Sequence, residues 1–325
     1  MKINQNARLS TAPMMDWTDR HCRTFYRLMS RHALLYTEMV TAQAVLHGDR
    51  ARLLGFEPEQ HPVALQLGGS EPEALHEATR IAAQWGYDEI NLNVGCPSDR
   101  VQSGCFGAVL MKQPGLVADC VAAMIDASPV EVTVKCRIGV DDQDPAEVLP
   151  AFLDRMRGAG VRRIAIHARK AWLQGLSPRE NRTLPPLDYP LVHAMKRAFP
   201  DLHLSVNGGI ASLDEARAHL RVMDGVMVGR AAYHQPWDIL GAADRLWDDA
   251  PPFATAADVA LAMRPRIAAH LRAGGRLHQI TRHMLGLFHG QPGARSWKRV
   301  LSEGAPGGGI EVYDAAIASV SRAAA

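Results

Sequence analysis

The chain has 325 residues, 47% hydrophobic and 22% charged, with a formal net charge of +2. That is ordinary composition for a folded protein with one large domain and a smaller one, and so small a net charge says little about nucleic acid by itself. The stretch Met1–Thr11 has no apolar signal core, no later run approaches a membrane span, and the five cysteines include no CxxC pair, so secretion, membrane spanning, a disulfide framework and a structural metal are not expected.

Short apolar or β-branched runs recur from the N-terminus, each followed by residues at helical spacing. They are Leu9–Pro13, Leu34–Thr37, Val63–Leu67, Glu89–Asn93, Glu131–Lys135, Arg163–His167, His203–Asn207 and Gly225–Val228. Ser70-Glu71-Pro72-Glu73 and Ser212-Leu213-Asp214-Glu215 fit the capping box, and Asp144-Pro145 puts a cap before a first-turn proline. Eight strand–helix alternations over about 240 residues predict a (β/α)8 TIM barrel. The competing doubly wound sheet wants a glycine-rich phosphate fingerprint after its first strand. That turn reads Pro13-Met14-Met15-Asp16, and neither GxGxxG nor GxxxxGK[ST] occurs. Asp248–Pro252 reads as a linker, and helical spacing resumes from Ala256. The expected organisation is a catalytic barrel over 1–247 and a small helical domain over 248–325.

Active sites of such barrels lie at the C-terminal ends of the strands. Six strands end in polar residues: Gln66 on the third, Asn93 followed by Gly95-Cys96-Pro97 on the fourth, Lys135 on the fifth, His167 on the sixth, Asn207-Gly208-Gly209 on the seventh and Gly229-Arg230 on the eighth. Desolvating so many polar groups at one rim is costly without a purpose. The two glycine turns suit a phosphate held on backbone N–H groups, with Arg230 as a forked donor. Lys135 reads either as a snorkelling surface lysine or as a buried ammonium that needs an anionic partner. His167 reads equally as a satisfied core histidine. Cys96, between a glycine and a proline in an irregular loop, stands out from the small-hydrophobe reading that suits most free cysteines. Cys105 also lies in a turn-like stretch, and the other three cysteines read as core.

The segments Ala12–Met14, Tyr36–Met39, Pro62–Gly68, Gly86–Pro97, Val132–Lys135, Ile166–Arg169, Asn207–Ile210 and Asp224–Arg230 together resemble the tRNA-dihydrouridine synthase family. Gly175–Tyr189 is similar to the A subgroup in particular, which acts at D-loop positions 20 and 20a. The resemblance implies FMN in the barrel mouth, NADPH as reductant, a cytoplasmic location and tRNA gripped partly by the helical domain, with no obligate protein partner. It implies FMN-binding roles for Ala12, Pro13, Met14, Gln66, Lys135, His167, Asn207, Gly208, Gly209, Gly229 and Arg230. Cys96 corresponds to the catalytic acid, and Asn93, Arg179, Arg182, Arg295 and Lys298 to tRNA contacts. On this reading Lys135 meets the N1–C2=O edge of the reduced flavin and Gln66 a ring amide. Cys105 and Cys136 have no counterpart in the resemblance and add two thiols near the site.

The chemistry fits the residues. The C4 carbonyl polarises the C5=C6 bond of uracil, so C6 accepts a hydride and C5 must then be protonated. A thiol is ordinarily protonated at neutral pH and suits an acid. The base has to be unstacked to reach it. From Met263 onward nine basic residues face three acidic ones, an excess that points to phosphate contact although a solvated helix face is the commoner meaning of such a run. Two other readings stand beside this one. A flavin barrel acting on a free pyrimidine-like metabolite leaves the basic tail and the Arg179–Tyr189 insert unexplained. A non-catalytic RNA-binding protein leaves Cys96 and Lys135 unexplained.

Overall fold

A computed structural model describes residues 5–98 and 104–324. Eight parallel strands close into a barrel in sequence order: β1 Leu9–Thr11, β2 Leu34–Thr41, β3 Val63–Gly68, β4 Glu89–Val94, β5 Glu131–Arg137, β6 Arg163–His167, β7 His203–Asn207 and β8 Gly225–Val228. Strand alternation sorts the side chains. In β4 Ile90, Leu92 and Val94 join the apolar layer under the helices, whereas Glu89, Asn91 and Asn93 hydrogen-bond across the interior. The same parity in β5 turns Val132, Val134 and Cys136 outward. Among the described residues the interior holds a small apolar cluster of Ala12, Leu34, Tyr36, Ala64, Ala165 and Met227. Its floor is polar: Glu89 takes hydrogen bonds from Arg163, Tyr36 and Thr133, and Arg163 also pairs with Glu131 at 3.1 Å.

β1 stops at Thr11, two residues short of the expected end. Ala12 N–H still donates to Val228 O at 2.8 Å, but Pro13 has no N–H to continue the ladder. β5 instead runs two residues further than expected, to Arg137. The Ser70 capping box does not form, because the helix begins at Pro72 and leaves Glu71 at the cap position without a side-chain bond. Ser212 does cap, accepting from Glu215 N–H at 3.1 Å, while Glu215 reaches back to Ala211 N–H at 2.7 Å. Asp144 caps Ala146 N–H at 2.9 Å as expected.

Helices Ala256–Arg272, Leu277–Thr281, Ala294–Gly304 and Ile310–Ala324 make up the C-terminal segment. Trp297 centres it, fully buried against Phe288 and Tyr313, with Nε1 donating to Met284 O at 2.9 Å. No helix among the described residues is long and apolar enough to cross a membrane.

Asp19 joins the two parts. It caps the first long helix, Arg20–Met29, through His21 and Cys22 N–H, and takes Arg282 at 2.7 Å and His283 at 3.0 Å from the C-terminal segment. Burial pushes its carboxyl up, but bonds from His283, Cys22 and Arg282 outweigh that and hold it well below the usual range. Asp19→Asn keeps the cap and removes the charge, so it is expected to cost about 1–2 kcal/mol in urea unfolding at neutral pH. The folded pKa is depressed, so this contribution is present above about pH 4, the unfolded carboxylate value, and fades as pH falls below it. A variant whose deficit is independent of pH down to 3 would rule out the ion pair as its source.

Candidate active site

The ends of all eight strands and the loops that follow enclose a cavity of about 710 Å³, the size of a cofactor site. Ala12, Pro13, Met14, Gln66, Asn93, Cys96, Lys135, His167, Arg182, Asn207, Gly208, Gly209, Gly229 and Arg230 all line it. Arg179, Arg295 and Lys298 do not.

Its walls carry four cations, Lys135, Arg137, Arg182 and Arg230, against the carboxylate of Asp16. Lys135 has no hydrogen-bond or ion-pair partner among the described residues. Burial and then the nearby Arg137 pull its ammonium down to about 8. Burial, Arg137 and Lys135 likewise hold the His167 imidazolium well below its ordinary value, so that ring is neutral at physiological pH.

The turn after β7 is built for close approach. Gly208 has φ +109°, and a Cβ there would sit 2.5 Å from the His167 ring; Gly209 has φ +75°, and a Cβ would meet Leu187 at 2.5 Å. Tyr189 clamps the turn by donating to Gly208 O at 2.5 Å. The N–H groups of Gly209 and Gly229 find no acceptor among the described residues.

Cys96 sits half-buried on a loop fastened from several directions. Asn93 Oδ1 accepts from Gly95 N–H and Cys96 N–H, each at 3.0 Å. Arg137 Nε donates to Gly95 O at 3.0 Å, and Ala108 N–H to Cys96 O at 2.9 Å. The thiol lies 3.5 Å from Ser98 Oγ. Neither of the two unexplained thiols shares the cavity. Cys105 is exposed in a turn, and Cys136 is buried on the outward face of β5, where burial pushes it up to about 12.

The mouth of the parallel barrel thus holds a basic cavity with a thiol on a braced loop. Residues 10–316 match the family model described as dihydrouridine synthase. The chain belongs to this family. It is therefore an enzyme, a flavin-dependent oxidoreductase. It is 57% identical to the tRNA-dihydrouridine(20/20a) synthase of Xanthomonas campestris pv. campestris over 95% of this chain and 92% of that one. It is 56% identical to that of Shewanella oneidensis over 98% and 95%, and 57% identical to that of Escherichia coli K12 over 95% and 90%. Among solved structures it is similar to an old yellow enzyme homologue from Zymomonas mobilis, with a TM-score of 0.52 and 14% identity over 70% of this chain and 86% of that one. It is also similar to morphinone reductase, with a TM-score of 0.54 and 14% identity over 77% and 89%. At that identity the likeness shows the barrel fold.

Several residues of this dihydrouridine synthase's cavity went unnoticed in the sequence. Arg137 is the most consequential: it is 2% exposed, and besides Gly95 O it donates to Lys170 O and Asn181 O, both at 2.9 Å. It ties the Cys96 loop to the insert after β6. Two residues beyond Lys135, it shares that face of β5, a signal hidden by ending the strand too early. Asp16, Trp17, Met39, His234 and Gln235 also line the wall, with Trp17 stacked on Tyr233 at 4.3 Å and 12°.

The expected RNA-contact residues separate. Arg182 lies at the cavity edge, its carbonyl receiving Arg230 at 2.9 Å, and Arg179 is exposed just before it on the same insert. Asn93 is 8% exposed, with its amide spent on Gln66 and on the Cys96 loop. Arg295 and Lys298 are exposed on the helix whose buried side carries Trp297. Lys298 is close enough to the cavity residue His234 to help burial and Arg230 depress its pKa. Two of the nine tail cations are committed elsewhere, Arg264 to Asp314 at 2.6 Å and Arg282 to Asp19 at 2.7 Å.

Proposed function

We propose that this dihydrouridine synthase reduces the C5=C6 bond of uridine in tRNA, at positions 20 and 20a of the D-loop, using FMN and NADPH in the cytoplasm. The observation that carries the reading is Cys96 held on the wall of a cavity in which the buried Lys135 has no partner among the described residues. The names of the relatives support the substrate and positions.

The residues present fit a phosphorylated flavin: a partnerless cation, free turn N–H groups and a forked Arg230 all ask for negative charge. Gly208, Gly209, Gly229 and Arg230 would hold the phosphate, Lys135 and Gln66 the polar edge of the ring, and Ala12–Met14, His167 and Asn207 the remainder. When bound, FMN supplies the hydride that C6 accepts. Lys135 offers positive charge where electron density collects before transfer. Cys96 delivers its thiol proton to C5, and the bonds from Asn93 and Arg137 keep that thiol in one place. The insert with Arg179 and Arg182 flanks the unstacked base, and the helical segment 248–325 anchors distant phosphates.

Arg295→Ala with Lys298→Ala is therefore expected to weaken tRNA binding and to reduce the salt slope of log K by roughly two at most. Flavin content and NADPH oxidation should remain as in wild type. Identical binding curves across a salt series would show that this helix face is not an anchor. The function as a whole is tested by mapping dihydrouridine in tRNA from cells lacking the protein: positions 20 and 20a should revert to uridine and be restored by the wild-type gene. Unchanged dihydrouridine at both positions would refute it.

A further inference from the structure

Cys96 is connected to the floor of the barrel by an unbroken line of buried side chains. Thr133 Oγ1 donates to Glu89 Oε1 at 2.5 Å, and Asn91 Nδ2 donates to Thr133 Oγ1 at 2.7 Å. Gln66 Nε2 donates to Asn91 Oδ1 at 2.8 Å, and Asn93 Nδ2 to Gln66 Oε1 at 2.7 Å. Asn93 Oδ1 then accepts the two N–H groups of Gly95 and Cys96. All five side chains are between 0% and 8% exposed.

Both ends of this line have fixed polarity. Glu89, ion-paired with Arg163, can only accept. That spends the single hydroxyl hydrogen of Thr133, so Thr133 must accept from Asn91. Each amide above it is thereby forced into one orientation. At the rim the backbone N–H groups can only donate, and they meet an oxygen. Donor and acceptor logic from the two ends agrees, and one arrangement alone satisfies every link.

We propose that Glu89, Thr133, Asn91, Gln66 and Asn93 form a polarity-locked ladder whose role is to position the Cys96 loop and to fix which end of the Gln66 amide faces the cofactor. Thr133 and Asn91 are positioning residues: they touch neither Cys96 nor the cavity. Cutting the ladder at Thr133 frees the amides to rotate and loosens the thiol from below. The catalytic consequence rests on Cys96 being the proton donor, whereas the structural link does not.

The test uses the full-length flavin-loaded protein. Cys96 alkylation by iodoacetamide is followed by peptide mass spectrometry, with exposed Cys105 as the internal standard. In Thr133→Val the Cys96 rate should rise about three- to tenfold relative to Cys105, and kcat should fall by a similar factor at unchanged KM for tRNA, the shift expected from losing one hydrogen bond's worth of loop order. Thr133→Ser restores the hydroxyl and should return both values. Asn93→Asp cannot donate to Gln66, so the Gln66 amide must turn over against the orientation that Thr133 imposes on Asn91, and the absorption band of the bound flavin should move. The double variant should lose no more kcat than the worse single one, because both cut the same line. A folded Thr133→Val with wild-type alkylation and kcat overturns the proposal. If that variant does not fold, an unshifted flavin band in Asn93→Asp overturns it instead. Wild-type protein that forms no dihydrouridine while Thr133→Val still loosens Cys96 would refute the function and leave the ladder standing.

Discussion

Replacing Cys96 with alanine should lower dihydrouridine formation by about two to four orders of magnitude, the usual contribution of a positioned general acid, while NADPH still bleaches the bound flavin. The split follows from where the residue stands. Its thiol lines the cavity, but the loop that carries it is held through backbone groups, by Asn93 at Gly95 and Cys96 N–H and by Arg137 at Gly95 O. Removing the sulfur therefore leaves the wall in place and takes away only the proton. Cys105→Ala, outside the cavity, serves as the control and should retain wild-type turnover. Single-turnover measurement of flavin reduction and of dihydrouridine formation separates the two half-reactions. Full product formation in Cys96→Ala would move the acid to another residue.

Lys135→Met should lower the midpoint potential of the bound flavin by about 30–60 mV, equivalent to 1.5–3 kcal/mol for a charge-assisted contact in a two-electron couple. Methionine keeps the length of the side chain and removes only the charge. The effect has a pH signature. In the ligand-free protein the ammonium is charged below about 8 and neutral above it. An anionic partner prefers the charged form, so the gap between wild type and variant should be full at pH 7 and narrow as pH rises past the lysine's own value. Spectroelectrochemical titration from pH 7 to 10 checks this. Equal potentials at pH 7 would remove Lys135 from the electronics of the site.

Alternation made the barrel legible. Runs such as Glu131-Val132-Thr133-Val134-Lys135 carry their inside and outside in the residue types, and polar residues at successive run ends mark the rim. Two kinds of information were not local. Arg137 faces the cavity because β5 continues, and its acceptors Gly95, Lys170 and Asn181 are 33 to 44 residues away in the chain for the last two and the first. Gln66, Asn91 and Thr133 look like ordinary strand residues until the register Gln66↔Asn91↔Thr133 puts them side by side. The capping box at Ser70 failed for a local reason, since Pro72 at the first helical position moved the cap to Glu71. The excess charge of the tail was visible, but its pairing was not: Arg282 spends its charge on Asp19, 263 residues away.

The surplus of cations over carboxylates in the cavity bears on how the protein is handled. Inorganic phosphate and sulfate are small anions with the same oxygen geometry as a phosphoryl group, and on the proposed placement of the cofactor's phosphate the Gly208-Gly209 turn and Arg230 would not tell them apart. On that placement, a preparation stripped of flavin in phosphate buffer is expected to carry a competitor at the millimolar level into every reconstitution. Affinities measured there reflect displacement of the buffer ion as well as uptake of the cofactor, and titrations in a zwitterionic buffer with chloride as the only small anion will read tighter.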